Sequence, residues 1–139
     1  METKFNFNSQ ICTTREQSER LLALGLKKET ADMFYAAIHI GPEIVGYQVS
    51  PTYNEYNFEI FPDDIPAWSL HRLIEMMPFN VLIEGGFDNC FTLIKNYPKG
   101  YSVEYDGYSY YYKENIYDTI IEGIEHLIKE GHFNKEYLV

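Results

Sequence analysis

The chain has 139 residues, a net charge of −10 and an aromatic content of 17%. This length fits one domain that buries roughly two-thirds of the surface exposed by the unfolded chain. The aromatic content excludes an intrinsically disordered protein, since disordered chains are poor in such residues. No run approaches the roughly 18 apolar residues of a membrane span, and the N-terminus has no secretory signal pattern, so we expect a cytoplasmic protein.

The negative charge is concentrated in the middle of the chain. Residues 29–90 contain ten acidic residues and a single basic one, Arg72, whereas residues 1–28 contain five basic and three acidic residues. Such a field repels a phosphate backbone, so direct nucleic-acid binding is disfavoured. A basic protein partner is compatible with it.

The first predicted element is a helix over residues 14–24. Thr13 and Thr14 are each followed three residues later by Glu or Gln, which is the spacing of a capping box. Gly25 fits the position just after the helix, where glycine is favoured.

Three segments then have the composition of strands. Met33–Ile40 is an apolar run that predicts a buried strand or a passage from helix to strand, and residues 44–49 predict a second strand. Residues 53–61 alternate between apolar and polar side chains, a period typical of a half-buried strand.

A second helix is predicted after Asp63 and Asp64. Asp64 fits an N-cap, and Pro66 fits the first turn, where a missing N–H is tolerated. Residues 68–77 supply an apolar side, and Pro78 ends the helix.

The C-terminal half predicts short strands, a hairpin and the clearest helix of the chain. Residues 80–84 and 90–96 are short apolar runs, and the second of them should join the hairpin over residues 101–113 in a meander. The helix is capped by Asn115 or Asp118 and ends at Gly131, after which a tail folds back. The predicted fold is therefore a single α+β domain with an antiparallel sheet and about three helices packed on it.

The hairpin carries six of the 13 tyrosines. Asp106-Gly107 is the dipeptide preferred by a two-residue type I′ turn, which would pair Tyr105 with Tyr108, Val103 with Tyr110 and Tyr101 with Tyr112. One face would then be an aromatic ladder.

Two sets of residues are candidate binding sites. The tyrosine face is the first, since Tyr favours half-exposed or interface positions, although packing beneath a helix explains it as well; its tyrosines are Tyr101, Tyr105, Tyr108, Tyr110 and Tyr112. The second is the acidic pair Asp63 and Asp64, which a helix N-terminus would also explain.

Catalytic and metal motifs are weak. Glu122, His126 and His132 could converge near the end of the last helix, and Cys90 could act as a nucleophile, but neither has the surrounding pattern that such chemistry requires. We expect no cofactor. Cys12 and Cys90 are interpreted as buried thiols in a reducing compartment.

Three segments, TTREQSERLLALGL…TADMFY, IPAWSLHRLIEMMP and YDTIIEGIEHLIKEG, together resemble small proteins of Bacteroides-type gut bacteria that are often encoded in prophages or other mobile elements. The resemblance implies a cytoplasmic bacterial protein with an accessory role in such an element. It implies no activity and no site residues.

The leading functional hypothesis is a non-enzymatic acidic accessory protein that binds another protein. A small metal-dependent or Cys/His-dependent enzyme is one alternative, and an acidic mimic of nucleic acid is another. Homodimerisation through an exposed hairpin edge is left open.

Overall fold

The computed structural model describes residues 9–52, 56–82, 88–96, 98–105 and 109–139. In chain order they form α1 (Arg15–Ala23), β1 (Met33–Ile40), β2 (Glu43–Pro51), β3 (Ile65–Ala67), α2 (Leu70–Met76), β4 (Asn80–Leu82), β5 (Asp88–Lys95), β6 (Tyr101–Tyr105), β7 (Ser109–Lys113) and α3 (Ile116–Lys129). Over this part of the chain the strands form two antiparallel sheets, ordered β2-β1-β3 and β4-β5-β6-β7. The predicted α+β fold is therefore confirmed.

The helix ends follow the capping residues of the sequence. Thr14 Oγ1 accepts a hydrogen bond from the Gln17 N–H, and the Gln17 side chain accepts one from the Thr14 N–H, so the predicted capping box is confirmed. Asn115 caps α3 by accepting from the N–H groups of its first turn. Gly131 has a φ of 76° beyond the end of α3, where glycine adopts the left-handed conformation without strain.

α3 lies across β6 and β7. Gly123 faces this sheet, and a Cβ there would lie at ordinary van der Waals distances from its neighbours, 3.6 Å from a Val103 methyl group and 3.8 Å from the Tyr111 ring. Four apolar side chains of α3 are fully buried; they are Ile120, Ile121, Ile124 and Leu127. α3 thus covers one face of the four-stranded sheet.

The hydrophobic core contains side chains from both sheets. Trp68 is fully buried and is held by two hydrogen bonds, one from its indole N–H to Thr30 Oγ1 and one from its main-chain N–H to Thr13 Oγ1. Leu138 pairs with Leu26, and the Val139 N–H donates to the Gly25 carbonyl, so the predicted return of the C-terminal tail is confirmed.

The predicted start of the second helix is wrong by several residues. Ile65–Ala67 is strand β3, and α2 begins after Ser69, whose hydroxyl accepts from the Arg72 N–H. Pro66 lies opposite Phe34. The register turns the main-chain groups of Phe34 toward β2, so the missing N–H of Pro66 removes no bond between β1 and β3.

The strand predicted over residues 53–61 is also wrong. Residues 58–60 form a turn, while residues 53–55 lie outside the described part of the chain. The Asn57 side chain accepts the Glu59 N–H at 2.8 Å, and the Asn57 carbonyl accepts the Ile60 N–H at 3.2 Å. An asparagine that bonds the main chain two residues later favours a turn, which overrode the alternating pattern.

The predicted register of the tyrosine hairpin is wrong by one residue. Tyr105 lies opposite Ser109, Val103 opposite Tyr111 and Ser102 opposite Tyr112. The pairing leaves three residues between the strands instead of two, and residues 106–108 lie outside the described part. Because side chains alternate along a strand, this slip moves every β7 side chain to the other face.

Candidate functional site

The outer half of the β1–β2 hairpin exposes apolar side chains. Phe34, near the start of β1, is 4% exposed, whereas the last three residues of the strand are all exposed. The hairpin extends past β3, which pairs only with Met33–Tyr35. The exposed large side chains of this region are Ile38, Ile40, Ile44 and Val45.

The segment 59–63 lies beside this end of the hairpin and adds two further exposed apolar side chains, Ile60 and Phe61. Phe61 stacks on Tyr56 with ring centroids 6.0 Å apart, and Tyr56 stacks on Phe34 at 4.1 Å. The aromatic stack therefore runs from the core to the surface. Residues 38–45 and 59–63 together are named the hairpin-end surface.

The two aspartates of the predicted acidic site have different roles. Asp64 accepts the Ala37 N–H at 2.8 Å and the Tyr56 hydroxyl at 2.7 Å, so its carboxylate ends the β1–β3 ladder and anchors the aromatic stack. The side chain of Asp63 is 56% exposed and lies 3.5 Å from His39 Nε2. Asp63 belongs to the hairpin-end surface, whereas Asp64 supports it from below.

The hairpin-end surface is rimmed by acidic groups. Glu43, Glu59 and Asp63 are exposed there. The sequence contains no Lys or Arg between residues 29 and 71. The region therefore combines exposed aliphatic and aromatic side chains with uncompensated negative charge.

The described tyrosines of the hairpin differ in their exposure. Tyr105 is 1% exposed and its hydroxyl donates to the Pro78 carbonyl; burial raises the pKa of this phenol. Tyr101 is half-buried, and Tyr110 lies opposite Glu104 in the ladder. Tyr112 is 43% exposed. Because Tyr112 lies opposite Ser102, it is on the other face of the sheet from Tyr101 and Tyr105, so these three predicted tyrosines do not share one face. Tyr108 lies outside the described residues.

Tyr111 of β7 lies opposite Val103 and packs against α3. Its ring lies 5.2 Å from the His126 ring on α3. A two-residue turn at Asp106-Gly107 would put Tyr111 on the face of the sheet away from Tyr105. The connection of three residues puts it on the same face instead.

The two cysteines are free and lie in different surroundings. Cys12 is buried, as predicted, while Cys90 is exposed, which contradicts the prediction that both are buried. The Cys12 Sγ lies 3.8 Å from the Tyr35 hydroxyl, which donates to the Thr13 carbonyl. Burial raises the pKa of the Cys12 thiol and raises that of Tyr35 to about 12. Both shifts favour the protonated forms, and a protonated thiol is a poor nucleophile.

The charged groups on α3 form ion pairs at the surface. Arg20 of α1 lies 2.7 Å from Glu125, and Lys113 of β7 lies 3.4 Å from Glu122. The Arg20 guanidinium lowers the pKa of Glu125. In the described ranges, no group of three His, Cys, Asp or Glu side chains is placed to hold a metal ion.

Comparison with known proteins gave no match to a family model, a curated protein or a solved structure. Among the described residues, no helix has both the length and the apolar character needed to cross a membrane.

Sequence reasoning missed the hairpin-end surface because the apolar run Met33–Ile40 was interpreted as buried along its whole length. A signal was present in the polar neighbours. Gly41-Pro42 at the tip and Glu43 immediately after it are residues typical of an exposed turn. When a turn lies at the surface, the strand ends next to it are exposed as well.

Proposed function

We propose that the protein is a non-enzymatic interaction module that binds another protein through the hairpin-end surface. The observation that carries the proposal is the set of exposed large apolar side chains at the end of the hairpin and in the adjoining segment 59–63, within a stretch that lacks Lys and Arg. The partner presents apolar side chains flanked by Lys or Arg.

The apolar part of the argument rests on clustering. Single exposed isoleucines are ordinary on protein surfaces. Here Ile40 is 69% exposed, Ile60 is 66% exposed and Phe61 is 52% exposed, and they belong to two segments that the His39–Asp63 contact holds side by side. Contiguous apolar patches rimmed by polar groups are typical of protein-binding surfaces.

The charge part of the argument selects the partner. Acidic residues surround the apolar side chains, so a partner with basic residues at the rim gains favourable electrostatics and a faster encounter. A second copy would bring an equally acidic surface against the first, which electrostatic repulsion opposes.

The proposed setting is the cytoplasm of a bacterium, in an accessory role within a mobile element. The resemblance of the three segments described above supports this setting. The free thiols of Cys12 and Cys90 are consistent with a reducing compartment.

The test is photo-crosslinking in the cells that produce the protein. p-Benzoylphenylalanine replaces Ile40 in one variant and Phe79 in a matched control; Phe79 is 80% exposed and lies before β4, in the other sheet. The protein crosslinked at residue 40 is identified by mass spectrometry, produced in pure form, and titrated against the unmodified chain by isothermal titration calorimetry.

The expected result is a partner captured from residue 40 and not from residue 79. Ile40→Ser should then weaken binding by at least about tenfold, while Phe79→Ser leaves the affinity unchanged. Asp63→Lys should weaken binding more at low salt than at high salt. Equal loss of affinity in Ile40→Ser and Phe79→Ser, or unchanged binding in both, would contradict the proposal.

A further inference from the structure

β2 is the outermost strand of the three-stranded sheet. It pairs with β1 on one side, and the described residues place no strand on its other side. On the other side of β1, β3 pairs with the first half of the strand and the Asp64 carboxylate accepts the next N–H, that of Ala37. The first half of β1 is therefore occupied on both sides, whereas among the described residues β2 is paired on one side only.

The register shows which main-chain groups of β2 point outward. The Thr52 N–H donates to the Asp32 carbonyl, and Ser50 and Gln48 lie opposite Phe34 and Ala36. Even-numbered residues in this half of β2 thus direct their N–H and C=O groups toward β1. The N–H and C=O groups of Tyr47 and Val49 point away from it.

Within β2 itself the protective features lie near the two ends of the strand, while the Arg15 guanidinium lies 4.6 Å from the centre of the Tyr47 ring near its middle. Natural edge strands are blunted by bulges, prolines and inward or flanking charges. β2 has a bulge opposite Ile38 and His39, near the tip, and Pro51 at its far end. Between them, residues 46–50 contain no charged side chain and continue the regular ladder.

We propose that the partner binds by adding an extended segment to the outer edge of β2, as a fourth strand of this sheet. The inference rests on the proposed function and specifies its mode. Main-chain hydrogen bonds to Tyr47 and Val49 supply affinity, and the side chains of alternate partner residues supply specificity.

The surroundings of β2 define the chemistry of that segment. Val49, Tyr47 and Ile44 share a face, since they lie opposite Tyr35, Ala37 and His39. The other face carries the polar or small residues Ser50, Gln48 and Gly46. The segment therefore alternates between apolar and polar residues.

Two charged residues orient the segment. Glu43 at the tip favours a Lys or Arg at the end of the segment that lies beside it. The Arg15 guanidinium lies 4.6 Å from the centre of the Tyr47 ring, so a basic residue is disfavoured next to Tyr47. The expected segment has its positive charge at the hairpin-tip end.

The experiment is a selection of peptides from a random display library against the full chain. An enriched peptide is synthesised in three forms: unmodified, N-methylated at alternate amides, and N-methylated at the intervening amides. Affinities for the full chain, Val49→Pro, Val49→Thr, Ile40→Ser and Phe79→Ser are measured by fluorescence polarisation, and circular dichroism confirms that each variant is folded.

The expected result is enrichment of peptides that alternate apolar and polar residues and carry Lys or Arg at one end. One N-methylated form of such a peptide should bind at least about tenfold more weakly than the other. Val49→Pro should weaken binding of the unmodified peptide by a similar factor, because the substitution removes an outward N–H. Val49→Thr and Phe79→Ser should bind the peptide with the affinity of the unmodified chain.

Three outcomes would overturn strand addition. One is enrichment of peptides with apolar residues at helical spacing, or equal affinity of all three peptide forms. If Ile40→Ser nevertheless abolishes the binding of these peptides, the proposed function stands without strand addition. A second is no enrichment, even when photo-crosslinking yields a partner. A third is concentration-dependent dimerisation in sedimentation equilibrium that Val49→Pro abolishes, which assigns the edge to a second copy.

Discussion

The four-stranded sheet and the β1–β2 hairpin are both rich in apolar side chains, but α3 covers only the first. Val103 and Tyr105 lie beneath α3 and are almost fully buried, whereas Ile38 and Ile40 lie beyond the end of β3 and are exposed. In the tyrosine-rich hairpin, which composition favours as a binding surface, Tyr105 belongs to the core, Tyr101 and Tyr111 are half-buried and Tyr112 is exposed. The burial of a strand's apolar side chains therefore depends more on which element lies over the strand than on the side chains themselves.

The largest expected effect compares one isoleucine from each region. Ile124→Ala should lower the free energy of unfolding by about 2–5 kcal/mol, because the Ile124 side chain is fully buried beneath α3 and its removal leaves a cavity. Ile40→Ala should change it by less than about 0.5 kcal/mol, since the side chain is 69% exposed. Urea denaturation of both variants with equal m-values checks the comparison. A loss at Ile40 as large as that at Ile124 would show that the hairpin end is covered in solution.

The next comparison uses the adjacent aspartates. Asp64→Ala should lower the free energy of unfolding by about 1–3 kcal/mol, because the Ala37 N–H and the Tyr56 hydroxyl both lose their acceptor. Asp63→Ala should change it by less than about 0.5 kcal/mol, because Asp63 is largely exposed. Thermal or urea unfolding measures both. Equal effects would contradict the assignment of Asp64 to structure and Asp63 to the surface.

Most of the fold could be predicted from local signals. The capping box at Thr14, the cap at Asn115 and the apolar spacing of α3 each act within a few residues, so the sequence contains the whole interaction. The register of β6 and β7 could not be predicted in the same way. It depends on a connection one residue longer than the Asp106-Gly107 pattern indicates, and that single residue reverses the faces of β7.

The candidate site was predicted only in part. Asp63 and Asp64 were selected from charge density, which does not distinguish a carboxylate that bonds the main chain from one that faces solvent. The exposure of Ile38 and Ile40 depends on β3 being three residues long and ending opposite Tyr35. That length follows from the turn at residues 58–64 and from tertiary pairing, neither of which the apolar run Met33–Ile40 can reveal.

The smallest expected effect compares the glycines at two turns, one in each region. Gly41 at the tip of the β1–β2 hairpin has a φ of 60° and open space around its Cα, whereas Gly100 before β6 has a φ of 92° and would place a Cβ 2.6 Å from the Tyr112 hydroxyl oxygen. Both substitutions to Ala should lower the free energy of unfolding by about 1 kcal/mol through the left-handed backbone.

Gly100→Ala should lower the free energy of unfolding by about a further 1 kcal/mol, because the Tyr112 ring must swing away and its hydroxyl then loses the bond to the Lys99 carbonyl. In the background of Tyr112→Ala, the two glycine substitutions should have equal effects, and a double-mutant cycle of urea unfolding curves measures the difference. If Gly41→Ala is as destabilising as Gly100→Ala in the native background, the tip of the β1–β2 hairpin is packed against something in solution, and the hairpin-end surface is not free to accept a partner. If only Gly100→Ala shows the additional loss of unfolding free energy, the turn before β6 is packed and the turn between β1 and β2 is open, as are the sheet and the hairpin end to which they belong.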